Sequence, residues 1–71
     1  MATYKYGKYE SWDGYVFYAI KKKTFLFGWE VQKRWPLYHV LDYNININFD
    51  TERKELMDAV DRLIKAGHTV I

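Results

Sequence analysis

The side chains that could perform catalysis are few. The chain has one serine, Ser11, two histidines, His39 and His68, and no cysteine. A nucleophile needs a base within hydrogen-bond reach, and these residue types offer almost no such pairing. The histidines with Asp13 or Asp42 also lack the spacing of metal-binding motifs. We therefore predict no catalytic residue, no cofactor and no metal site, and a protein that is not an enzyme.

The basic residues are better suited to binding. In YAIKKKTFLFGW, three consecutive lysines, Lys21, Lys22 and Lys23, separate two runs of aromatic and apolar residues. One interpretation is a solvated hairpin tip between the second and third strands, longer than two residues because it lacks Asn-Gly or Asp-Gly. The other is an electrostatic contact that the lysines form together with Lys33 and Arg34. The sequence favours the hairpin tip.

A row of asparagines is the third candidate for binding. In LDYNININFD, Asn44, Asn46 and Asn48 alternate with apolar residues, and this period of two predicts a strand with one buried and one polar face. If Ile45 and Ile47 face a helix, the asparagines lie on the open face, either as solvated surface or as a binding surface. The candidate partner-binding residues are therefore Lys21, Lys22, Lys23, Lys33, Arg34, Trp35, Asn44, Asn46 and Asn48.

Size and composition predict one small domain, residues 1–71. Aromatic residues make up 20% of the chain, more than one small core should need, so we expect some of them at an interface. Residues 1–41 carry seven Lys or Arg against three Asp or Glu, whereas residues 42–71 carry four against six. The basic half favours a polyanionic or acidic partner. The lack of cysteine and of a long apolar run predicts a cytoplasmic protein without a membrane partner.

The pattern along the chain predicts an α+β fold. We expect strands at about residues 3–10, 15–21, 24–34 and 38–49, with Pro36 ending the third strand because proline lacks an amide hydrogen. In that third strand Trp29 and Val31 would face the helix, and Glu30 would share the other face with Arg34. The period then changes to that of a helix at about 51–66, which Gly67 ends.

The predicted architecture is an antiparallel three- to four-stranded meander sheet, packed on one face by a single C-terminal α-helix. The tail, residues 68–71, either adds a short final strand or packs beneath the helix. Short connections favour antiparallel neighbours, and the apolar stripe of the helix needs an apolar sheet face to cover.

The segment NFDTERKELMDAV resembles the FDT..E strand-to-helix junction of ethylene-response-type DNA-binding domains, integrase arm-binding domains and other small phage-encoded proteins. The resemblance covers residues 15–66 in layout and few positions in sequence. It implies a sheet with one helix, a phage-type origin and, in the DNA binders, a sheet that lies in the major groove. The family's WLG is NIN here and its arginine-rich strands are aromatic, so no site is carried over by motif. On position alone, DNA contact would fall to Lys21, Lys23, Arg34 and Trp35.

Three functions follow from these observations. The first is a small phage-type accessory protein or inhibitor that binds a host protein through aromatic side chains. The second is a nucleic-acid-binding module that uses the basic and aromatic residues of the sheet. The third is a structural protein that self-assembles, as a homodimer or larger, through an exposed strand edge.

Overall fold

A computed structural model describes residues 1–41 and 49–71. Its elements are β1 (Thr3–Glu10), β2 (Tyr15–Thr24), β3 (Gly28–His39), α1 (Phe49–Lys65) and β4 (Thr69–Val70). They form one four-stranded sheet in the order β3-β2-β1-β4, with β1, β2 and β3 antiparallel and β4 parallel to β1. The α+β layout with a single C-terminal helix is confirmed, and the tail forms the short final strand.

The core lies between α1 and one face of the sheet. Leu56 and Val60, one helical turn apart, pack against Ile20 of β2 and Trp35 of β3, and each of the four is at most 5% exposed. Spacing of four residues places two side chains on the same side of a helix, so this pair forms the apolar stripe that the sequence predicts. Partly buried residues surround the cluster, namely Tyr4, Tyr18, Ala59, Leu63 and Val70.

The end of α1 is fixed by local hydrogen bonds. Gly67, at φ 91°, donates its N–H to the Ile64 carbonyl at 3.0 Å, and His68 donates to Leu63 at 3.1 Å. This pair of bonds is the Schellman arrangement, in which glycine supplies the left-handed residue. In the last turn Lys65 Nζ lies 2.8 Å from Asp61 Oδ2. The hydrogen bond and the charge of Asp61 raise the pKa of Lys65.

Strand β3 begins and ends later than the sequence predicts, at Gly28 rather than residue 24 and at His39 rather than residue 34. It runs through Pro36 to His39, with Pro36 paired to Phe17 and a bulge beside this pair. The prediction that Pro36 ends the strand is wrong because β3 is an edge strand, where one side of the ladder needs no amide donor. Of the strand expected at 38–49, residues 38–39 belong to β3 and Phe49 begins α1; residues 42–48 lie outside the described part of the chain.

The β1–β2 turn is held against the end of β3 through Gly14. Gly14 has φ 90°, and its carbonyl accepts a hydrogen bond from the Val40 N–H at 2.9 Å. A Cβ atom at Gly14 would lie 2.9 Å from Val40 Cγ2 and 3.1 Å from His39 Nε2. The imidazole Nε2 is also 2.8 Å from the Asp13 carbonyl oxygen. The turn therefore needs glycine both for its backbone angle and for its close contact.

Gly28 provides a matched control for a substitution at Gly14. It also has a positive φ, 72°, but nothing lies within 4 Å of its Cβ position. We expect Gly14→Ala to lower the free energy of unfolding by about 2–3 kcal/mol and Gly28→Ala by about 1 kcal/mol, the cost of the backbone angle alone. Urea denaturation of both variants measures the difference. Equal losses would show that the contact with β3 contributes nothing.

Candidate functional site: the open sheet face

The sheet has a covered face, which packs on α1, and an open face. Ile20 and Trp35 belong to the covered face because they pack on the helix. Side chains alternate along a strand, so Ala19, Lys21 and Arg34 point the other way. The open face comprises the side chains of β1–β3 that point away from α1: Thr3, Lys5, Gly7, Tyr9, Tyr15, Phe17, Ala19, Lys21, Lys23, Trp29, Val31, Arg34, Pro36 and His39.

A β-bulge at Gln32 decides which residues of β3 reach the open face. Ile20 pairs with Lys33, whereas the next residue of β2, Lys21, pairs with Val31, so Gln32 has no partner in the ladder. An extra residue reverses the alternation of the strand that carries it. The bulge therefore places Trp29 and Val31 on the open face.

The same bulge separates Glu30 from Arg34. Glu30 pairs with Lys22 on the covered face, whereas Arg34 pairs with Ala19 on the open face. Two predictions from strict alternation are thus wrong: that Trp29 and Val31 face the helix, and that Glu30 shares a face with Arg34. Alternation cannot reveal a bulge, since the sequence around Gln32 contains no glycine or other residue that marks one.

Three cations lie over three aromatic rings on the open face. Lys5 Nζ is 4.4 Å from the Trp29 ring centroid, and Lys21 Nζ is 3.8 Å from that of Tyr9. The guanidinium of Arg34 lies 5.7 Å from the Phe17 ring. These distances are within the range of cation–π attraction, which is worth about 0.5–1 kcal/mol at exposed sites. The open face is therefore a layer of rings with cations above them.

Aromatic rings lie over small residues at the centre of the face. Tyr9 and Phe17 are 6.1 Å apart between centroids, and a Cβ at Gly7 would lie 3.8 Å from the Tyr9 ring. Ala19, which pairs with Gly7, is 0% exposed although α1 does not cover it. The overlying side chains themselves therefore bury the centre of the open face.

The open face carries cations and no carboxylate among the described residues of β1–β3. These strands contain two acidic residues, Glu10 and Glu30. Glu10 pairs with Val16 and Glu30 with Lys22, and both pairs lie on the covered side. Four cations remain on the open face: Lys5, Lys21, Lys23 and Arg34. The face therefore has a uniformly positive character, which attracts anions.

The three lysines do not form the hairpin tip. Lys21, Lys22 and Lys23 lie within β2, and alternation sends Lys21 and Lys23 to the open face and Lys22 to the covered face. The turn between β2 and β3 consists of residues 25–27 instead, so the prediction of a lysine tip is wrong. The turn forms after the lysines because the Thr24 hydroxyl donates a hydrogen bond to the Gly28 carbonyl oxygen, which closes the loop at residues 25–27.

Lys33 and Arg34, which the sequence predicts to act together with the three lysines, lie on opposite faces of the sheet. Arg34 lies on the open face, but Lys33 lies on the covered face with its Nζ 5.1 Å from the Trp35 ring. Trp35 is 5% exposed and belongs to the core, so its predicted place in a binding surface is corrected. Asn44, Asn46 and Asn48 lie outside the described residues.

Four residues of the open face were missed in the sequence: Lys5, Tyr9, Phe17 and Trp29. Alternation along the strands could have located three of them, because Phe17 and Lys21 lie an even number of residues apart, as do Lys5 and Tyr9, and such residues share one face. No such signal exists for Trp29, because its place depends on the bulge.

The histidines have structural partners. His68 Nδ1 accepts a hydrogen bond from the Ala2 N–H at 3.1 Å, and its ring lies edge-on to Tyr4. His39 Nδ1 accepts from the Leu41 N–H at 3.1 Å. Among residues 1–41 and 49–71, no group of three His, Asp or Glu side chains is placed to hold a metal ion. Within the same residues, no helix has the length and apolar character needed to cross a bilayer.

No family model, curated protein or solved structure matches this chain.

Trp35 and Trp12 give a test of the core assignment. Trp35 is 5% exposed and Trp12, in the β1–β2 turn, is 99% exposed. We expect Trp35→Ala to lower the free energy of unfolding by about 3–5 kcal/mol, because it leaves a cavity beneath α1. Trp12→Ala should change it by less than about 0.5 kcal/mol. Thermal unfolding followed by circular dichroism distinguishes the two, and a small effect of Trp35→Ala would contradict the core assignment.

Proposed function

We propose that the protein binds single-stranded nucleic acid along the open face, with little preference for sequence. The observation that carries this proposal is the set of three cation–aromatic pairs on a face to which the described strands contribute no carboxylate. Single strands are bound by grooves or sheets that combine cations for the phosphates with aromatic rings for the bases. The open face offers both kinds of group on one surface.

Each cation–aromatic pair can bind the phosphate of a nucleotide with its cation and stack on the base with its ring. In the free protein the Lys21 ammonium lies over the Tyr9 ring and the Lys5 ammonium over the Trp29 ring. A phosphate attracts an ammonium more strongly than a ring does, because it carries a full charge. When the lysine turns to the phosphate, the ring face becomes available to a base, and stacking contributes about 1–3 kcal/mol per base.

The geometry favours unpaired bases over a duplex. In a duplex the bases are stacked on one another, so aromatic rings on a sheet cannot reach their faces. Trp29 of β3 pairs with Lys23 of β2. Lys23 is six residues from Phe17 along β2, so the Trp29 and Phe17 positions are separated by about 20 Å at about 3.3 Å per residue. The open face therefore spans several nucleotides of an extended strand.

The decisive experiment is a salt titration of binding to fluorescent oligothymidylate and to a duplex of equal length. Four cations on the open face predict a slope of log K against log salt of about −3, at about −0.7 per phosphate contact. The variant K21Q/R34Q should bind at least tenfold more weakly and with a slope reduced by about 1.4. The matched variant R53Q/K54Q removes the same charge from the exposed face of α1 and should bind as the wild type does.

A contrary result would be clear. If both charge variants lost affinity equally, net charge alone would account for binding, and the open face would have no special part. Trp29→Ala provides the second arm, because it removes a ring and no charge. It should lower affinity without changing the salt slope.

A second candidate function is binding of a host protein, as a small phage-type accessory or inhibitor. The observation that favours it is a cleft of about 820 Å³ at the end of the sheet where the β1–β2 turn lies. Its lining includes Trp12, which is 99% exposed, and Tyr38. The cleft shares Tyr15, Phe17, Arg34 and Pro36 with the open face, so Trp12 is the residue that distinguishes the two sites. Exposed tryptophan and tyrosine beside a cleft are typical of interface hot spots.

Trp12→Ala separates this second function from the first. Affinity for oligothymidylate should stay unchanged, because Trp12 is not part of the open face. Recovery of a protein partner from host lysate, measured by quantitative mass spectrometry, should fall at least tenfold. Equal recovery by the wild type and Trp12→Ala of every captured protein would count against the second function.

We do not propose self-assembly through the edge of β3. Pro36 removes a donor from that edge, the bulge at Gln32 bends it, and Lys33 and Arg34 add charge. Each of these features disfavours pairing with another strand.

A further inference from the structure

The tip of the β2–β3 hairpin presents bulky apolar side chains to solvent. Phe25, Leu26 and Phe27 are 99%, 75% and 85% exposed. They are neighbours in sequence and occupy the whole turn. Isolated exposed apolar residues are common on proteins, but a contiguous exposed group of this kind marks a contact surface.

The turn holds these side chains in a fixed arrangement. Thr24 Oγ1 accepts a hydrogen bond from the Phe27 N–H at 3.1 Å and donates one to the Gly28 carbonyl oxygen at 2.9 Å. Gly28, at φ 72°, supplies the left-handed residue that a three-residue hairpin loop requires. Because the loop is already closed, little ordering is needed when the tip enters an apolar medium.

Two lysines at the base of the tip, Lys22 on the covered face and Lys23 on the open face, form a basic collar, in which Lys22 also pairs with Glu30. Lys22 and Lys23 directly precede Thr24, and both line a cleft with Phe25 and Met1 at this end of the sheet. None of the residues that line this cleft is acidic. Met1, 99% exposed, adds a further apolar side chain beside the collar.

An apolar tip with a basic collar matches the surface of an anionic bilayer. Interfacial elements place apolar side chains about 5–10 Å into the boundary between headgroups and acyl chains, and lysines bind the anionic headgroups. All three side chains of the tip are at least 75% exposed, so a fluid medium can surround all of them.

We propose that the β2–β3 tip binds an anionic lipid surface, with Phe25, Leu26 and Phe27 inserted and with Lys22 and Lys23 at the headgroups. The inserted side chains, Phe25, Leu26 and Phe27, do not belong to the open face, whereas Lys23 is shared between the two surfaces. The chain would then lie on the membrane by one end of its sheet, with β2 and β3 leading away from the surface.

Vesicle flotation tests this proposal. The vesicles consist either of phosphatidylcholine alone or of equal parts of phosphatidylcholine and phosphatidylserine. The wild type should float with the anionic vesicles and at least tenfold less with the neutral ones. The variant F25S/F27S should bind anionic vesicles at least tenfold more weakly, and K22Q/K23Q should lose most of the preference for phosphatidylserine.

Leu26→Ser and Leu41→Ser form the matched pair. Leu41 is 81% exposed, close to the 75% of Leu26, but it follows β3 at the opposite end of the sheet. Leu26→Ser should weaken vesicle binding several-fold and Leu41→Ser should leave it unchanged. Circular dichroism shows that each variant is folded.

Three results would overturn the proposal. The wild type could fail to float with anionic vesicles, or F25S/F27S could float as well as the wild type. Alternatively, the wild type could form a dimer in lipid-free buffer that F25S/F27S abolishes while vesicle binding is absent. That outcome would make the tip a contact between two copies of the chain.

Discussion

The packing of α1 on Ile20 and Trp35 is the contact on which the rest of the structure depends. A single helix can cover only one face of a sheet, so the contact fixes which side chains are buried and which form the open face. Leu56 and Val60 supply the helix side of this core, and each is less than 5% exposed. In a chain this short, burial is limited, and few other apolar contacts could replace the cluster.

The open face follows from that constraint. Its strands carry Tyr9, Phe17 and Trp29, which no second layer formed by residues 1–41 and 49–71 covers. Cations take the place of such a layer, because Lys5, Lys21 and Arg34 lie over the rings. Long side chains of this kind cover apolar surface with their methylene groups and keep their charge in water. The same arrangement that solvates the aromatic face also gives it the groups that bind a polyanion.

The sequence predicts those parts of the fold that depend on local pattern. Helical spacing from Leu56 to Ile64 locates α1 to within two residues at its start, and Gly67 marks its end because only the backbone angle matters there. What alternation cannot predict is a change of register. The bulge at Gln32 and the continuation of β3 through Pro36 arise from the pairing with β2 and from the edge position of β3, and neither is encoded in the residues nearby. Of the open face, only Trp29 was missed for this reason, since it joins Arg34 through the bulge; the positions of Lys5, Tyr9 and Phe17 follow from plain alternation.

The bulge at Gln32 brings Trp29 onto the open face, under the Lys5 ammonium. Nuclear Overhauser contacts of the Trp29 indole, measured by solution NMR, test this placement. We expect contacts from the indole protons to the Lys5 side chain and an upfield shift of the Lys5 ε-methylene, because the ring lies 4.4 Å from Nζ. Contacts from the Trp29 indole to Leu56 or Val60 of α1 would contradict it, since they would place the ring on the covered face.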